Sequence, residues 1–287
     1  MSNFLSLTLR AAVVVVAGSV SVVGAIAAED GDTHYPIIRP ELQRWTFSGM
    51  FGTFDEAQLQ RGFQVYREVC AGCHSLDLIA FRHLGDEGGP HFSAEQVKAL
   101  AAEYDVTGGP DEYGDFFDRP GQPFDYIPSP FPNLEAAASA NNGAVPPDLS
   151  LITKARAAPR GIQWVPVNFF TAYEEAGADY LYALLTGYQD APDDTEVADG
   201  NYYNPFFLAS SALAMPDPLG EGYVTYEDGS PETVEQYARD VTAFLMWAAE
   251  PHLVARKRLG FQVIIFLVVF AGLLYLTKKR VWSGVVH

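Results

Sequence analysis

An uncharged run of 18 residues, from Leu259 to Leu276, lies close to the C-terminus of this 287-residue chain. A helix of that length rises about 27 Å, which matches the hydrocarbon core of a bilayer. Lipid offers no hydrogen-bond partner to backbone N–H and C=O groups, so a segment that crosses it must be helical. The sequence therefore predicts one C-terminal transmembrane helix, an anchor over residues 256–280 with basic flanks. The alternative, a buried core helix, is disfavoured by this length and these flanks.

A second apolar stretch opens the chain. Arg10 is the only charged residue before Glu29, and Ala25-Ile26-Ala27 fits the small-x-small pattern of a signal cleavage site. We expect residues 1–28 to be a secretory signal peptide, cut after Ala27 or Ala28, and a retained N-terminal anchor is the alternative. Export places residues 29–255 outside and the tail, residues 281–287, inside. Basic residues on both sides of the anchor make the positive-inside rule alone a weak guide.

Charge is distributed unevenly along the chain. All 36 acidic residues lie between Glu29 and Glu250, a stretch that holds only 11 Lys and Arg residues. Such a domain repels nucleic acid, so we expect no nucleic-acid partner, and it attracts a basic protein partner. The same charge is also compatible with a role in solubility alone.

Between the two apolar runs, the sequence predicts a mainly α domain with long loops. Apolar residues recur at helical spacing near residues 59–70, and Asp55 can cap the start of this helix. A short helix is predicted near residues 94–104, with Ser93 as its cap. Residues 180–188 are also predicted to be helical.

The last helix before the anchor has the clearest start signal. Ser230 suits the N-cap and Pro231 the first helical position, and Pro251 ends the pattern. Prolines and glycines over residues 108–132 exclude a continuous helix or a central strand there. Residues 190–205 are predicted to form an acidic loop.

The two cysteines of the chain belong to one motif, Cys70-Ala71-Gly72-Cys73-His74. Cys-x-x-Cys-His is the attachment signature of c-type haem. Two thiols about one helical turn apart suit thioether bonds to the two vinyl groups, and His74 then offers an imidazole nitrogen to iron. A thiol–disulfide pair would need a thioredoxin-like pattern, and a zinc site would need four ligands. Because neither is found, we expect one haem c, covalently bound through Cys70 and Cys73.

The sixth iron ligand separates electron transfer from other haem chemistry. Met1 leaves with the signal peptide, and Met246 lies on an amphipathic helix where a core position is expected. Met215, in a proline-stiffened loop, and Met50, in a glycine-rich loop, both remain, and the chain pattern favours Met215. An open site would instead indicate a haem sensor. A c-type peroxidase usually needs a second haem motif, which the sequence lacks.

Several further sequence blocks occur in a fixed order around the haem motif. They are Arg61-Gly62-Phe63-Gln64-Val65-Tyr66, Ala140-Asn141-Asn142-Gly143-Ala144, Pro146-Pro147-Asp148-Leu149-Ser150, Lys154-Ala155-Arg156, Leu184-Leu185-Thr186-Gly187-Tyr188, the Met215 loop and Trp247-Ala248-Ala249-Glu250-Pro251. Taken together, these blocks resemble the cytochrome c1 family, the haem-c subunits of cytochrome bc1 complexes. The resemblance covers nearly the whole mature chain.

The resemblance implies a cytochrome-c-like haem domain and a set of site residues. His74 and Met215 would be the two axial iron ligands. Asn141 and Pro147 would line the haem pocket. Arg156 would pair with a haem propionate, since a guanidinium fork suits a carboxylate, although an ordinary surface arginine is the alternative. No catalytic residue is implied on this chain, because quinol chemistry would belong to other subunits.

The resemblance also implies a place and partners. The chain would be a single-pass protein of a bacterial inner membrane with its haem domain in the periplasm, in contact with membrane lipid. Within a quinol:cytochrome c oxidoreductase it would adjoin cytochrome b, take electrons from the Rieske iron–sulfur protein and pass them to a small soluble or tethered cytochrome c. Residues 157–177 are longer than the connection in mitochondrial members, and their role is not predicted. No extra cysteine pair is present, so packing must brace the Met215 loop.

Overall fold

The computed structural model describes residues 38–284, so the predicted signal peptide, residues 1–28, lies outside the described residues, as does the end of the predicted tail. The α-helices are, in chain order, α1 (Glu56–Val65), α2 (Ala94–Ala101), α3 (Leu134–Ala140), α4 (Ile152–Ala155), α5 (Val165–Thr171), α6 (Ala176–Thr186), α7 (Val234–Ala249) and α8 (Leu253–Val281). A π-helical turn follows α1, and short 3-10 turns occur at Phe81–Gly85, Ile162–Trp164 and Trp282–Gly284.

Strands are few and short in the described part of the chain. β1 (Asp105–Gly108) pairs antiparallel with β2 (Phe117–Pro120), and β3 (Tyr202–Tyr203) pairs antiparallel with β4 (Ala212–Leu213). Each ribbon has only two strands, so Pro120 removes no hydrogen bond from a central strand. The predicted mainly α fold with long loops is therefore confirmed.

Local capping determines where the first helices begin. The Asp55 side chain accepts a hydrogen bond from the Gln58 N–H at 2.7 Å and starts α1. Ser93 and Gln96 form a reciprocal capping box at the start of α2. Both caps were predicted, because an N-cap depends on residues within one turn of each other.

The start of α7 differs from the predicted one. Its N-cap is Thr233, whose side chain accepts from the Gln236 N–H at 3.3 Å, and not Ser230. Glu232 is held by a distant loop, because its carbonyl accepts from the Gly222 N–H and its carboxylate from the Tyr226 N–H. These tertiary hydrogen bonds delay the helix by three residues.

Helix α7 lies at the centre of the core. It packs against α1, α4 and α6. Its fully buried side chains include those of Tyr237, Phe244, Met246 and Trp247. Met246 is therefore a core residue, as its amphipathic context indicated.

The crossing between α1 and α7 is close, and it is built around Gly62 and a buried carboxylate. A Cβ on Gly62 would meet the Asp240 carbonyl oxygen and would lie 2.7 Å from the Phe244 Cβ. The Asp240 side chain is fully buried and accepts from Gln58 Nε2 at 3.0 Å and from Arg61 Nε at 2.9 Å. The missing side chain thus allows a close approach, and the buried charge is compensated at the same place.

Helix α8 is the one described helix that is long and apolar enough to cross a membrane. Its 29 residues correspond to about 44 Å. Every side chain over residues 259–276 is exposed, as expected of a lipid-facing segment. The predicted C-terminal transmembrane helix is supported in type and position, and it begins at Leu253.

The first turn of α8 is fastened to the rest of the chain. Lys257 is buried and donates a hydrogen bond to the Phe47 carbonyl at 2.7 Å. Arg256 pairs with both Glu174 and Glu250. Two of the three basic residues that open the predicted anchor therefore hold it to the helical domain.

The Gly62 contact yields a test of the core. Replacing Gly62→Ala should lower the free energy of unfolding by about 1–3 kcal/mol, because the new methyl group overpacks the α1–α7 crossing. Far-ultraviolet circular dichroism of the detergent-solubilised chain during denaturation measures this change. Gly260→Ala is the matched control, since apart from its chain neighbours and its own helix backbone no heavy atom lies within 4 Å of its Cβ position. Equal midpoints for the two variants would contradict the close crossing.

Candidate haem-binding site

The haem motif forms a single tight turn after α1. The carbonyl of Cys70 accepts from the Cys73 N–H at 3.1 Å and from the His74 N–H at 2.9 Å. The preceding π-helical turn closes with a bond from the Ala71 N–H to the Tyr66 carbonyl at 2.8 Å. The motif is therefore held at the C-terminal end of a core helix.

Both thiols of the motif are free. Cys70 packs against the main core and is partly buried, whereas Cys73 is exposed. Burial raises the pKa of the Cys70 thiol to about 12, with a smaller contribution from Cys73. A protonated thiol is a poor nucleophile for disulfide exchange, so this environment does not suit Cys70 as the attacking thiol of a redox pair.

The imidazole of His74 is oriented by one hydrogen bond. Its Nδ1 lies 2.8 Å from the carbonyl oxygen of Pro147. A carbonyl only accepts, so Nδ1 carries the proton and Nε2 keeps a lone pair. Burial lowers the pKa of His74, which favours the neutral ring. A neutral imidazole fixed through its other nitrogen is the usual arrangement of a metal-ligating histidine.

The segment after His74 is bound along its length to the segment after Pro147. The Asp148 carboxylate accepts from the Ser75 hydroxyl, the Asp77 N–H and the Ser150 N–H, at 2.8 to 2.9 Å. The Leu149 N–H donates to the Ser75 carbonyl at 2.9 Å. Asp148 therefore positions the histidine indirectly. Asp148 belongs to one of the sequence blocks of the cytochrome c1 resemblance, but that block by itself does not predict this role.

Met215 packs against the same hydrophobic core as the haem motif. It is partly buried and packs against the main core cluster, to which Cys70 also packs. It also touches a small cluster that contains Tyr180, Leu184 and Leu213. The tertiary structure thus brings Met215 and the haem motif to one hydrophobic core, although 141 positions separate Met215 from His74 in the sequence.

Two polar residues that sequence analysis did not single out brace the Met215 loop. The Tyr188 hydroxyl donates to the Met215 carbonyl at 3.1 Å, and burial raises the pKa of Tyr188, so the hydroxyl keeps its proton. Asn204 is fully buried, its side chain donates to the Leu184 carbonyl at 2.8 Å, and its backbone N–H donates to the carbonyl of Ser211, the residue before β4, at 2.8 Å. The loop is therefore held by hydrogen bonds in addition to the packing of Met215 against the core clusters.

The alternative methionine, Met50, lies elsewhere. It is exposed, and the ring of its neighbour Phe51 contacts Phe261 of α8, with the ring centres 5.1 Å apart. Met50 therefore belongs to the anchor side of the domain.

The other predicted pocket residues differ in how they are used. Asn141 ends α3, and its side-chain amide donates to the Ala137 carbonyl of the same helix at 2.8 Å. Pro147 reaches His74 through its carbonyl oxygen. Arg156 follows α4, is exposed and makes no ion pair with residues 38–284. Because Arg156 has no carboxylate partner among the described residues, its guanidinium is available to pair with an acidic group of a bound ligand.

The donor set fits a c-type haem. It contains two free thiols, one imidazole with an available Nε2 and one thioether near the same core. Within residues 38–284 no group of three or more His, Cys, Asp and Glu side chains is arranged to hold a metal ion directly. These features are those expected of a c-type cytochrome, here with a helical domain and, within the described residues, one C-terminal helix able to span a membrane.

Comparison with known proteins identifies the family. The sequence model of the Cytochrome C1 family matches residues 45–285. Over 246 residues the chain is 56% identical to "Cytochrome b/c1" of Bradyrhizobium diazoefficiens, which covers 85% of this chain and 36% of that protein. It is 48% identical over 259 residues to "Cytochrome c1" of Blastochloris viridis, with 90% and 89% covered. It is 44% identical over 241 residues to "Cytochrome c1, heme protein, mitochondrial" of Schizosaccharomyces pombe, with 84% and 71% covered.

The chain therefore belongs to the cytochrome c1 family. Members of this family are the haem-bearing electron-transfer subunits of the cytochrome bc1 complex, and the resemblance noted in the sequence is confirmed. The chain spans about a third of the length of the Bradyrhizobium protein, whereas it spans most of the two cytochromes c1.

The hydrogen bonds of Asp148 generate a test of how His74 is held. Asp148→Ala should lower the free energy of unfolding by about 1–2 kcal/mol, because three donors lose their acceptor. Ser75→Ala should have a smaller effect, since it removes one of those bonds, and serves as the graded control. Chemical denaturation of both variants measures the difference. An Asp148→Ala variant as stable as the original chain would show that these hydrogen bonds do not hold the segment.

Proposed function

We propose that the chain carries one haem c, held covalently by Cys70 and Cys73, with His74 and Met215 as axial ligands. In this proposal the chain relays single electrons within a quinol:cytochrome c oxidoreductase. The observation that carries it is the bond from His74 Nδ1 to the Pro147 carbonyl, which leaves Nε2 available. The adjoining thiols and the packed Met215 loop support the same assignment.

Different residues of the chain would hold different parts of the haem. When bound, haem supplies an iron that changes its oxidation state by one electron. Cys70 and Cys73 would attach it to the end of a core helix, so the protein need not enclose it fully. Cys73 is exposed and His74 partly exposed, so one edge of the group would lie near the surface, where electrons enter and leave.

The second axial position would be supplied by Met215. A thioether ligand raises the reduction potential relative to a second imidazole. Tyr188 and Asn204 hold the loop that presents it, so the site would be filled and closed to gases. Arg156, exposed and without an internal ion pair, would pair with a propionate, while Asn141 shapes the loop before Pro147.

The proposed partners follow from the family and from charge. Electrons would arrive from the Rieske iron–sulfur protein and leave to a small soluble or tethered cytochrome c, with cytochrome b beside the anchor. The exposed carboxylates of Glu68 and Asp77 flank the haem motif and would favour a basic acceptor. The chain itself would make or break no substrate bond, and no nucleic acid is expected to bind.

The proposed location is a bacterial inner membrane, with the haem domain periplasmic. The signal peptide at residues 1–28 and a haem domain over residues 29–255 remain predictions, as do the anchor at 256–280 and the cytoplasmic tail at 281–287. The contacts of Arg256 and Lys257 with the helical domain support this orientation. They leave the basic cluster at residues 278–280 as the flank that the positive-inside rule assigns to the cytoplasm.

Substitution of the proposed sulfur ligand tests the site. Met215→Leu should lower the midpoint potential on the order of 0.1–0.3 V, part of the roughly 0.8 V range that axial ligands span. Redox titration of the haem absorbance measures it, and reduced Met215→Leu should also bind carbon monoxide readily. Met50→Leu is the matched control and should leave the potential unchanged. The reverse pattern would transfer the ligand assignment to Met50.

Ionic strength tests the acidic docking surface. Electron transfer to a basic cytochrome c should slow by on the order of tenfold as ionic strength rises from about 0.01 to about 0.2 M, because salt screens the steering charges. Stopped-flow oxidation of the reduced chain measures the rate. An acidic cytochrome c is the control acceptor and should not show this slowing. A rate that does not depend on salt would exclude charge steering toward this domain.

A further inference from the structure

Helix α5 exposes an unusual amount of apolar surface. None of its residues is buried, although it carries Val165, Phe169 and Phe170, which are 60%, 78% and 81% exposed. Ile162, in the 3-10 turn before it, is 55% exposed. Contiguous apolar surface of this kind marks a contact site in a soluble domain. The segment lies within residues 157–177, whose role the sequence did not predict.

The chain fixes this helix beside the start of the membrane anchor. Glu174 follows α5 by three residues and is paired with Arg256 of α8. Arg256 lies three residues before Leu259, the first residue of the uncharged run, which is about 4.5 Å along the helix axis. The end of α5 is therefore tied to the level at which α8 would enter the membrane.

The segment from Gly49 to Phe51 also contacts both the end of α5 and the membrane anchor. The Thr171 carbonyl oxygen lies 3.8 Å from the position that a Cβ on Gly49 would take. Two residues further on, Phe51 is 74% exposed, and its ring contacts Phe261 inside the uncharged run of α8. Ile162, Val165, Phe169, Phe170 and Phe51 are called the apolar patch below.

The charges around the apolar patch differ from those of the rest of the domain. Residues 157–173 contain no Asp or Glu, in a chain that has 36 acidic residues, and their one cation, Arg160, donates a hydrogen bond to the Asn168 side chain and pairs with no carboxylate of the described residues. The Arg160 guanidinium lies 4.6 Å from the Trp164 ring centre and 4.2 Å from that of Tyr173. Aromatic and basic residues without carboxylates are the composition found at the surface of a membrane with anionic headgroups.

We propose that the apolar patch lies in the headgroup–acyl boundary of the bilayer that α8 crosses. The occupant of this surface is lipid, because the patch continues the exposed apolar surface of α8 through Phe51 and Phe261. The helical domain would then contact the membrane at two places, through α8 and through α5. Two contacts fix the tilt of the domain over the membrane, which a single helix cannot do. The proposal depends on α8 spanning the bilayer and not on the haem ligands.

Site-specific photo-crosslinking in the native membrane tests this placement. The photoreactive residue p-benzoylphenylalanine replaces Phe170 in the full chain, and the adduct formed on illumination is identified by mass spectrometry. The same residue at Leu267, in the middle of the uncharged run, is the positive control for lipid.

The negative control is the same residue at Tyr223, which is 67% exposed and equally aromatic. Its loop bonds the N-terminal end of α7 through the Val224 and Gly222 N–H groups. The 16 residues of α7 place that end about 24 Å from the junction with α8.

A lipid adduct at position 170 and none at position 223 is the expected result. A protein adduct at position 170 would overturn the proposal in favour of a partner subunit on this face. A lipid adduct at position 267 without any at position 170 would show that the patch lies in solvent. The readout is the identity of the adduct formed at each position, which does not depend on which residues bind the haem.

Discussion

The hydrogen bond between the His74 imidazole and the Pro147 carbonyl is the interaction on which the site depends. It joins two segments that are 73 positions apart, and it decides which ring nitrogen can bind iron. The network around Asp148 holds the same two segments in register, so the Pro147 carbonyl stays within reach of the ring. A core helix carries the motif, and the Met215 loop packs against the same core. The residues proposed to bind the haem are therefore all held by the folded core of this chain or by hydrogen bonds to it.

The central helix α7 connects this scaffold to α8, the helix that is long and apolar enough to cross a membrane. Its buried face packs against the helix that leads into the haem motif, and its C-terminal end is separated by a short turn from α8. Arg256 and Lys257 then bind the first turn of α8 to the domain, so the anchor is a continuation of the core. With α5 at the same level, the domain has both the contacts and the surface chemistry to hold one orientation over a membrane.

Helix starts that depend on neighbouring residues were predicted correctly, and features that depend on distant residues were not. Asp55 and Ser93 cap their helices as expected, because a cap is decided by residues within one turn. Ser230 does not, because Glu232 is bound by residues of the loop at Gly222 to Tyr226, which no periodicity reveals. Helix α5 was not predicted from the sequence. None of its residues is buried, so its apolar side chains do not mark one face packed against the core.

The sequence alone predicted the chemistry of attachment, the position of the membrane helix and the short set of methionines that could serve as ligands. These features are local, since a motif, an apolar length and a residue type are present in any conformation. Only the tertiary structure decided that Met215 shares a core with Cys70 while Met50 lies beside the anchor. Only the structure revealed that Pro147 acts through its backbone carbonyl, because every residue has such a group and its use depends on what folding brings within reach.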